Sequence, residues 1–283
     1  MIQSIENKSL YIKFFVLVII STWMPWLIAA ISHQKQGDLL VNILIALGGI
    51  GPTFGALFML YKCNQIDNLK KDYWKRVFDF TGIKGKYYAF IFLFLPLVII
   101  TSVLVSLIFG ENFSQLTKIS DDINGITGLI FFAVFILFFG PIPEELGWRG
   151  IGLDLLTEKF NKIKASLILG SIWGIWHLPL FFIEGTYQNT DLFNPLGLFI
   201  YLGTIIPNTL ILTWLYYKTN RSILAAILYH FIINFSGSII EISNAAQLIL
   251  LGILSITVLL LIKRNKKFWG IHKKMQKQKF RFS

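Results

Sequence analysis

A single cysteine, Cys63, occurs in the 283 residues, so no disulfide within the chain can form and no cysteine-based zinc site can be assembled. Charge is scarce as well: 14% of residues are Asp, Glu, Lys or Arg, against 55% hydrophobic ones, a balance that excludes an ordinary soluble domain of this length. The little charge present is lopsided, with 26 Lys and Arg against 15 Asp and Glu. That excess does not signal nucleic acid, because the basic residues fall in short segments between apolar runs and show no glycine-rich or aromatic-interleaved RNA-binding pattern. Also missing are an internal repeat and any Gly/Ser-rich or Pro-rich linker long enough to separate one domain from another, so residues 1–283 read as one transmembrane domain.

What the chain does have is apolar length. A spanning helix needs about 20 mostly apolar residues, and the sequence offers about eight such stretches, near 10–31, 39–61, 87–109, 126–153, 164–183, 195–217, 222–240 and 245–262. The expected fold is an all-α polytopic membrane protein. The first run, at roughly 22 residues, exceeds the apolar core of a signal peptide, and Ala29-Ala30-Ile31 makes a poor cleavage site, so it is read as a helix that stays. Between the second and third stretches, Lys62 to Lys86 form a basic connector carrying Tyr73, Trp74 and Phe78. It reads either as an interfacial helix or as a solvated loop with aromatic anchors.

Orientation follows from the basic residues, which are retained on the cytoplasmic side. Eight spans with both termini inside put about 23 of the 26 Lys and Arg in cytoplasmic segments, with Lys35 and Lys118 outside and Arg149 buried. The same arrangement leaves Glu111, Asp121, Asp122, Glu184, Asp191 and Glu241 outside. The tail, residues 263–283, is strongly basic and suits anionic lipid headgroups.

Acidic, basic and histidine side chains in the central turns of the spans are confined to three of them. Glu144, Glu145 and Arg149 lie on the fourth, His177 on the fifth, and His230, with Asn234, on the seventh. An intramembrane charge costs a few kcal/mol and faces the bundle interior, so such a cluster is a functional centre by default. Counted at about 1.5 Å per residue, Glu144 lies roughly 15 Å from Asp154, His177 roughly 20 Å from Lys164, His230 roughly 14 Å from Arg221 and Asn234 roughly 20 Å from it. All four therefore share one layer in the cytoplasmic half of the bilayer.

Spacing divides their roles. Glu145 and Arg149 stand at i and i+4 with the acid first, the favoured order for a helical ion pair. Glu144, turned about 100° away, is left without that partner and is the candidate general base. Pro141 and Pro143 interrupt the helix just before it, and N–H groups freed there would act against the desolvation of the carboxylate. His230 and Asn234, also i and i+4, offer donors for a developing oxyanion. Pro179 frees the Ile175 carbonyl and is expected to kink the fifth helix beside His177. Trp148, Trp173 and Trp176 read as aromatic packing, with pocket lining as the alternative.

Established intramembrane hydrolase patterns are absent: no His-Glu-x-x-His helix, no Gly-x-Ser-Gly and no Gly-x-Gly-Asp. A glutamate assisted by histidines remains. Glu144-Glu145-x-x-x-Arg149, then Trp173-x-x-x-His177, then His230-x-x-x-Asn234, in this order on successive apolar segments, resembles the CAAX protease and bacteriocin-processing family, the CPBP or Abi family. The likeness covers Pro143 to Asn234, within a motif-bearing core of about 126–240. One departure is Trp173, where the family usually has Phe.

The resemblance implies an intramembrane endopeptidase in which Glu144 activates water, His177 and His230 assist and Asn234 serves the oxyanion. It implies a hydrophobic or prenylated peptide as substrate, cleaved within a membrane whose lipids are the other partner. A bacterial cell membrane is the expected location. No cofactor is expected to be required. Zinc, held by Glu144, His177 and His230, stays possible because His₂Glu is a known catalytic set. The sequence around the two histidines supplies few groups to orient their rings, however. Two other classes share the composition: a non-catalytic immunity or regulatory protein that keeps the fold, and a proton-coupled transporter. A transporter would be expected to show repeated halves with broken helices in both.

Overall fold

Inside lipid a backbone has no water to bond to, so apolar runs satisfy their own N–H and C=O groups as helices. A computed structural model describes residues 2–62, 67–116, 125–192 and 194–270. Cys63, Lys118, Asp121, Asp122 and the tail beyond residue 270 lie outside the described residues. In chain order the helices are α1 (Ile2–Ile31), α2 (Leu39–Gly49), α3 (Gly51–Lys62), α4 (Asp67–Phe78), α5 (Gly85–Ser106), α6 (Gly125–Phe139), α7 (Pro141–Gly147), α8 (Leu153–Thr157), α9 (Lys162–Trp176), α10 (Tyr187–Leu192), α11 (Pro195–Lys218), α12 (Ile223–Ile239) and α13 (Asn244–Arg264). The protein is an all-α polytopic membrane protein.

All eight expected stretches are helical, but they are not eight uniform rods. Six are long and apolar enough to cross a membrane: Leu10–Ile31, Gly85–Phe109, Gly125–Thr157, Lys162–Phe182, Pro195–Lys218 and Asn244–Arg264. The second is a pair, Leu39–Gly49 and Gly51–Tyr61, bent by 41° at Ile50. There Gly49, Gly51 and Pro52 together weaken the helix, and the bend allows close approach. A Cβ at Gly48 would overlap the Trp26 ring, and one at Gly51 would overlap the Thr22 hydroxyl. The seventh, α12, has 17 residues, at the short end of the range that crosses a bilayer. It packs against α5, α6, α7 and α11, so it stands inside the bundle, with nine buried residues including His230.

Lipid-facing apolar surface and helix interior divide as expected of a membrane bundle. None of α6 is buried, whereas α11 buries twelve residues against its neighbours.

The connector after α3 contains a true helix, α4, and some of it is not solvated. Tyr73 is fully buried and Arg76 nearly so, while Phe78 is exposed and stacks on Trp74. Arg76 is therefore a buried cation outside the three charge-bearing spans. It donates to Asp72 at 2.9 Å and to the Tyr216 hydroxyl at 2.8 Å. Asp154 accepts from Tyr216 at 2.9 Å and pairs with Arg221. This network ties α4 to the end of the fourth span and to the α11–α12 turn, where Asn220 and Arg221 both take positive φ.

Candidate active site

The fourth span is where the backbone departs most from a plain helix. α6 stops at Phe139. Gly140 adopts φ −126° and ψ −90°, and Pro141 restarts the helix as α7 without needing an N–H partner. The interruption does not leave Glu144 with a free N–H, as the two prolines suggested. Its amide donates to the Gly140 carbonyl at 3.1 Å, so the turn is closed and the carboxylate depends on side chains for its partners. Beyond Gly147 the chain widens into a π-helix, Trp148–Gly152, a form that appears in short insertions at functional sites.

Neighbouring segments bond to the carbonyls of this stretch. Thr53 Oγ1 donates to the Pro143 carbonyl at 2.7 Å, Tyr73 Oη to the Leu146 carbonyl at 2.8 Å and Arg76 Nη2 to the Gly150 carbonyl at 3.3 Å. Packing closes the other side: a Cβ at Gly147 would overlap Pro52 of α3, so glycine lets the two backbones meet there.

On this scaffold Glu145 and Arg149 form the expected clamp. Arg149 Nη1 lies 2.7 Å and 3.0 Å from the two carboxylate oxygens, and both residues are fully buried. The guanidinium also stands 5.6 Å from the centre of the Trp173 ring, a cation–π distance. Its Nε and Nη2 have no hydrogen-bond partner among the described residues.

His230 joins the same clamp, which its spacing to Asn234 did not reveal. Its Nδ1 donates to Glu145 Oε1 at 2.9 Å. A carboxylate only accepts, so in the neutral ring the sole N–H is spent on Glu145 and Nε2 is an acceptor. This corrects the expectation that a neutral His230 offers a donor to an oxyanion. His230 gains an Nε2–H only on taking up a proton, and Glu145 is then placed to stabilise the imidazolium.

Glu144 is 7% exposed and does not share the clamp. One of its oxygens accepts from Trp173 Nε1 at 2.7 Å; the other has no hydrogen bond among the described residues. Trp173 is thus more than packing, and the signal for it was weak: an indole where the resembled motif has Phe, four residues before His177.

At His177 the fifth helix changes form. This residue caps α9 and opens a 3₁₀ turn, Leu178–Phe182, that contains Pro179. Its amide bonds to the Gly174 carbonyl at 3.3 Å, which leaves the Trp173 carbonyl to accept from His177 Nδ1 at 2.8 Å. Here too the neutral ring carries its proton on Nδ1 and presents Nε2 as an acceptor. Trp176, at 4.6 Å between ring centres, and Tyr201, at 6.0 Å, hold the ring edge-on. Trp173 meets His230 in the same T-shaped way at 5.1 Å. Asn234, half-buried, lies one turn beyond His230 with its amide nitrogen over Gly140, 3.0 Å from where a Cβ there would stand.

The structure therefore brings Glu144, Glu145, Arg149, His177 and His230 together around one residue, Trp173, with Asn234 at the start of α7. Few orienting groups were expected around the two histidines, and each ring has one at Nδ1: a backbone carbonyl for His177 and, from another helix, Glu145 for His230. Even so, among the described residues no three His, Cys, Asp or Glu side chains gather closely enough to hold a metal ion.

Apolar helices that bury a glutamate, a histidine and a Glu–Arg pair, with a second, half-buried histidine beside them, define an integral membrane protein with a polar centre inside the bundle. A family model for type II CAAX prenyl endopeptidase, Rce1-like, matches residues 126–236, which holds every residue of that centre. CAAX prenyl protease 2 of Methanococcus maripaludis is 32% identical over 266 residues, covering 93% of this chain and 96% of the relative. The chain belongs to the Rce1-like family of type II CAAX prenyl endopeptidases, and it is a protease.

Proposed function

We propose that the protein cleaves a peptide bond near the C-terminus of a prenylated peptide lying in the membrane, with Glu144 as the base that activates water. The observation that carries this reading is the asymmetry of the two adjacent carboxylates. Glu145 is consumed by Arg149 and His230, while Glu144 keeps one oxygen free of hydrogen bonds among the described residues. The free oxygen takes a proton from water as the water oxygen bonds to the scissile carbonyl carbon, whose π electrons move to the carbonyl oxygen. Asn234 donates to that oxyanion, and His230 does so in its protonated form, with Glu145 behind it. His177, held at Nδ1, presents Nε2 to the attacking water. When the intermediate collapses the C–N bond breaks, and the proton held by Glu144 passes to the leaving amine. No metal enters these steps.

The lipid-anchored substrate class rests on the relative, whose name specifies a CAAX prenyl protease, and on a centre that opens little to water. We place the site in the cytoplasmic half of the bilayer because the positive charge gathers at the corresponding helix ends, including Lys218 in the last turn of α11 and Lys263 and Arg264 in that of α13. The test is cleavage by the purified chain in lipid vesicles of a pair of peptides ending in the same CAAX sequence, one S-farnesylated and one not. Release of the C-terminal tripeptide from the farnesylated peptide alone is expected. Failure to cut it would overturn the reading.

A further inference from the structure

Trp173 touches the centre through every portion of the residue. Its indole N–H donates to one oxygen of Glu144 at 2.7 Å, and its backbone carbonyl accepts from His177 Nδ1 at 2.8 Å. The edge-to-face contact with His230 and the guanidinium of Arg149 near its ring engage its surface. The residue is 6% exposed, and its backbone is fixed by the last turns of α9. A buried carboxylate attached to the chain by rotatable bonds has several orientations open to it. A single N–H bond to one oxygen selects among them and decides which oxygen remains available.

We propose that the Trp173 indole N–H is the positioning group for Glu144, binding one carboxylate oxygen so that the other is the one that receives the proton from water. The proposal rests on the reading of Glu144 as the base. It separates the ring, which fills space and could be supplied by another aromatic residue, from the N–H, which Phe at this position would lack. Trp173 does not itself exchange a proton or contact the scissile bond.

The experiment removes the N–H while keeping the ring shape. Position 173 is replaced by 3-benzothienylalanine, in which sulfur stands in for the N–H, and separately by Phe, in the full chain reconstituted in vesicles and assayed with the S-farnesylated peptide. Both variants are expected to lower kcat by about ten- to a hundredfold, the scale of a misplaced reacting group. KM should stay within about a factor of two, as for an interaction that matters to reaction rather than binding. An unchanged kcat in the benzothienyl protein, or a raised KM with kcat unchanged, would overturn the proposal and return Trp173 to a lining role.

A second readout does not depend on turnover. In protein carrying ¹⁵N-labelled indoles, the Trp173 N–H resonance, assigned by its loss in Trp173→Phe, should move upfield in Glu144→Leu. A resonance that stays in place would show that the N–H does not bond to Glu144. If the wild-type chain fails to cut the farnesylated peptide, the proposed substrate class falls while this resonance still decides the contact.

Discussion

His230 Nδ1 and Arg149 Nη1 meet on the same oxygen of Glu145, at 2.9 Å and 2.7 Å. Glu145 is therefore a hub that fixes one histidine and neutralises one arginine, all three nine-tenths or more buried. Removing one partner of a buried pair costs about 3–5 kcal/mol, because the survivor keeps its charge without compensation. Glu145→Ala should accordingly lower the melting temperature in detergent. Glu145→Met combined with Arg149→Met should recover some of that loss. The double variant should not recover turnover, since His230 still lacks its acceptor. If it is no more stable than either single variant, the clamp does not stabilise the fold; if it regains full turnover, His230 does not need Glu145.

Glu144→Gln keeps the size of the side chain and an oxygen that can accept from Trp173, but removes the base. Cleavage is expected to fall about 10²- to 10⁴-fold, the usual contribution of a general base, with insertion and melting temperature close to wild type. Near-wild-type turnover by the purified variant would remove Glu144 from the mechanism.

Much of this arrangement is legible in the amino-acid sequence, and the reason is the cost of charge in lipid. Glu144, Glu145, Arg149, His177 and His230 stand out because nothing ordinary keeps them in apolar segments, and the i, i+4 rule finds the Glu145–Arg149 pair. Contacts across helices are not legible. Nothing in the spacing of His230 aims its Nδ1 at Glu145 85 residues earlier in sequence, and no periodicity distinguishes an indole that donates to a carboxylate from one that fills space. The π-helix at Trp148–Gly152 is hidden for a similar reason, because its support comes from elsewhere in the chain. Tyr73 and Arg76 lie in a basic connector whose composition suits the membrane surface equally well.

That support leads to a prediction about α4. Tyr73 Oη donates to the Leu146 carbonyl from a fully buried position. Tyr73→Phe would leave that carbonyl without its partner, at a cost of about 1–3 kcal/mol for an unsatisfied buried group. A lowered melting temperature is expected, together with faster amide exchange in residues 146–152, where the π-helix relies on α4. Wild-type stability and exchange in the variant would show that the carbonyl finds another donor and that α4 merely covers the site.

The last prediction concerns metal. His177 and His230 each have Nδ1 occupied, by the Trp173 carbonyl and by Glu145, so each ring is oriented with Nε2 free. Metal-binding histidines are commonly held in this way, so the ring orientations alone do not decide the question. The carboxylates argue the other way. Glu145 is bound by Arg149 and His230, and Glu144 is drawn to the indole of Trp173. A zinc ion needs its ligands at about 2.0–2.2 Å around one point, whereas no three candidate side chains among the described residues gather closely enough for that. The bonds they make instead suit a carboxylate that acts on water directly. Activity is therefore expected to survive exhaustive chelation, with no zinc retained by elemental analysis of the active protein. One zinc per chain, with activity lost on its removal and restored on adding it back, would reverse the assignment and make Glu144 either a ligand or the base beside one.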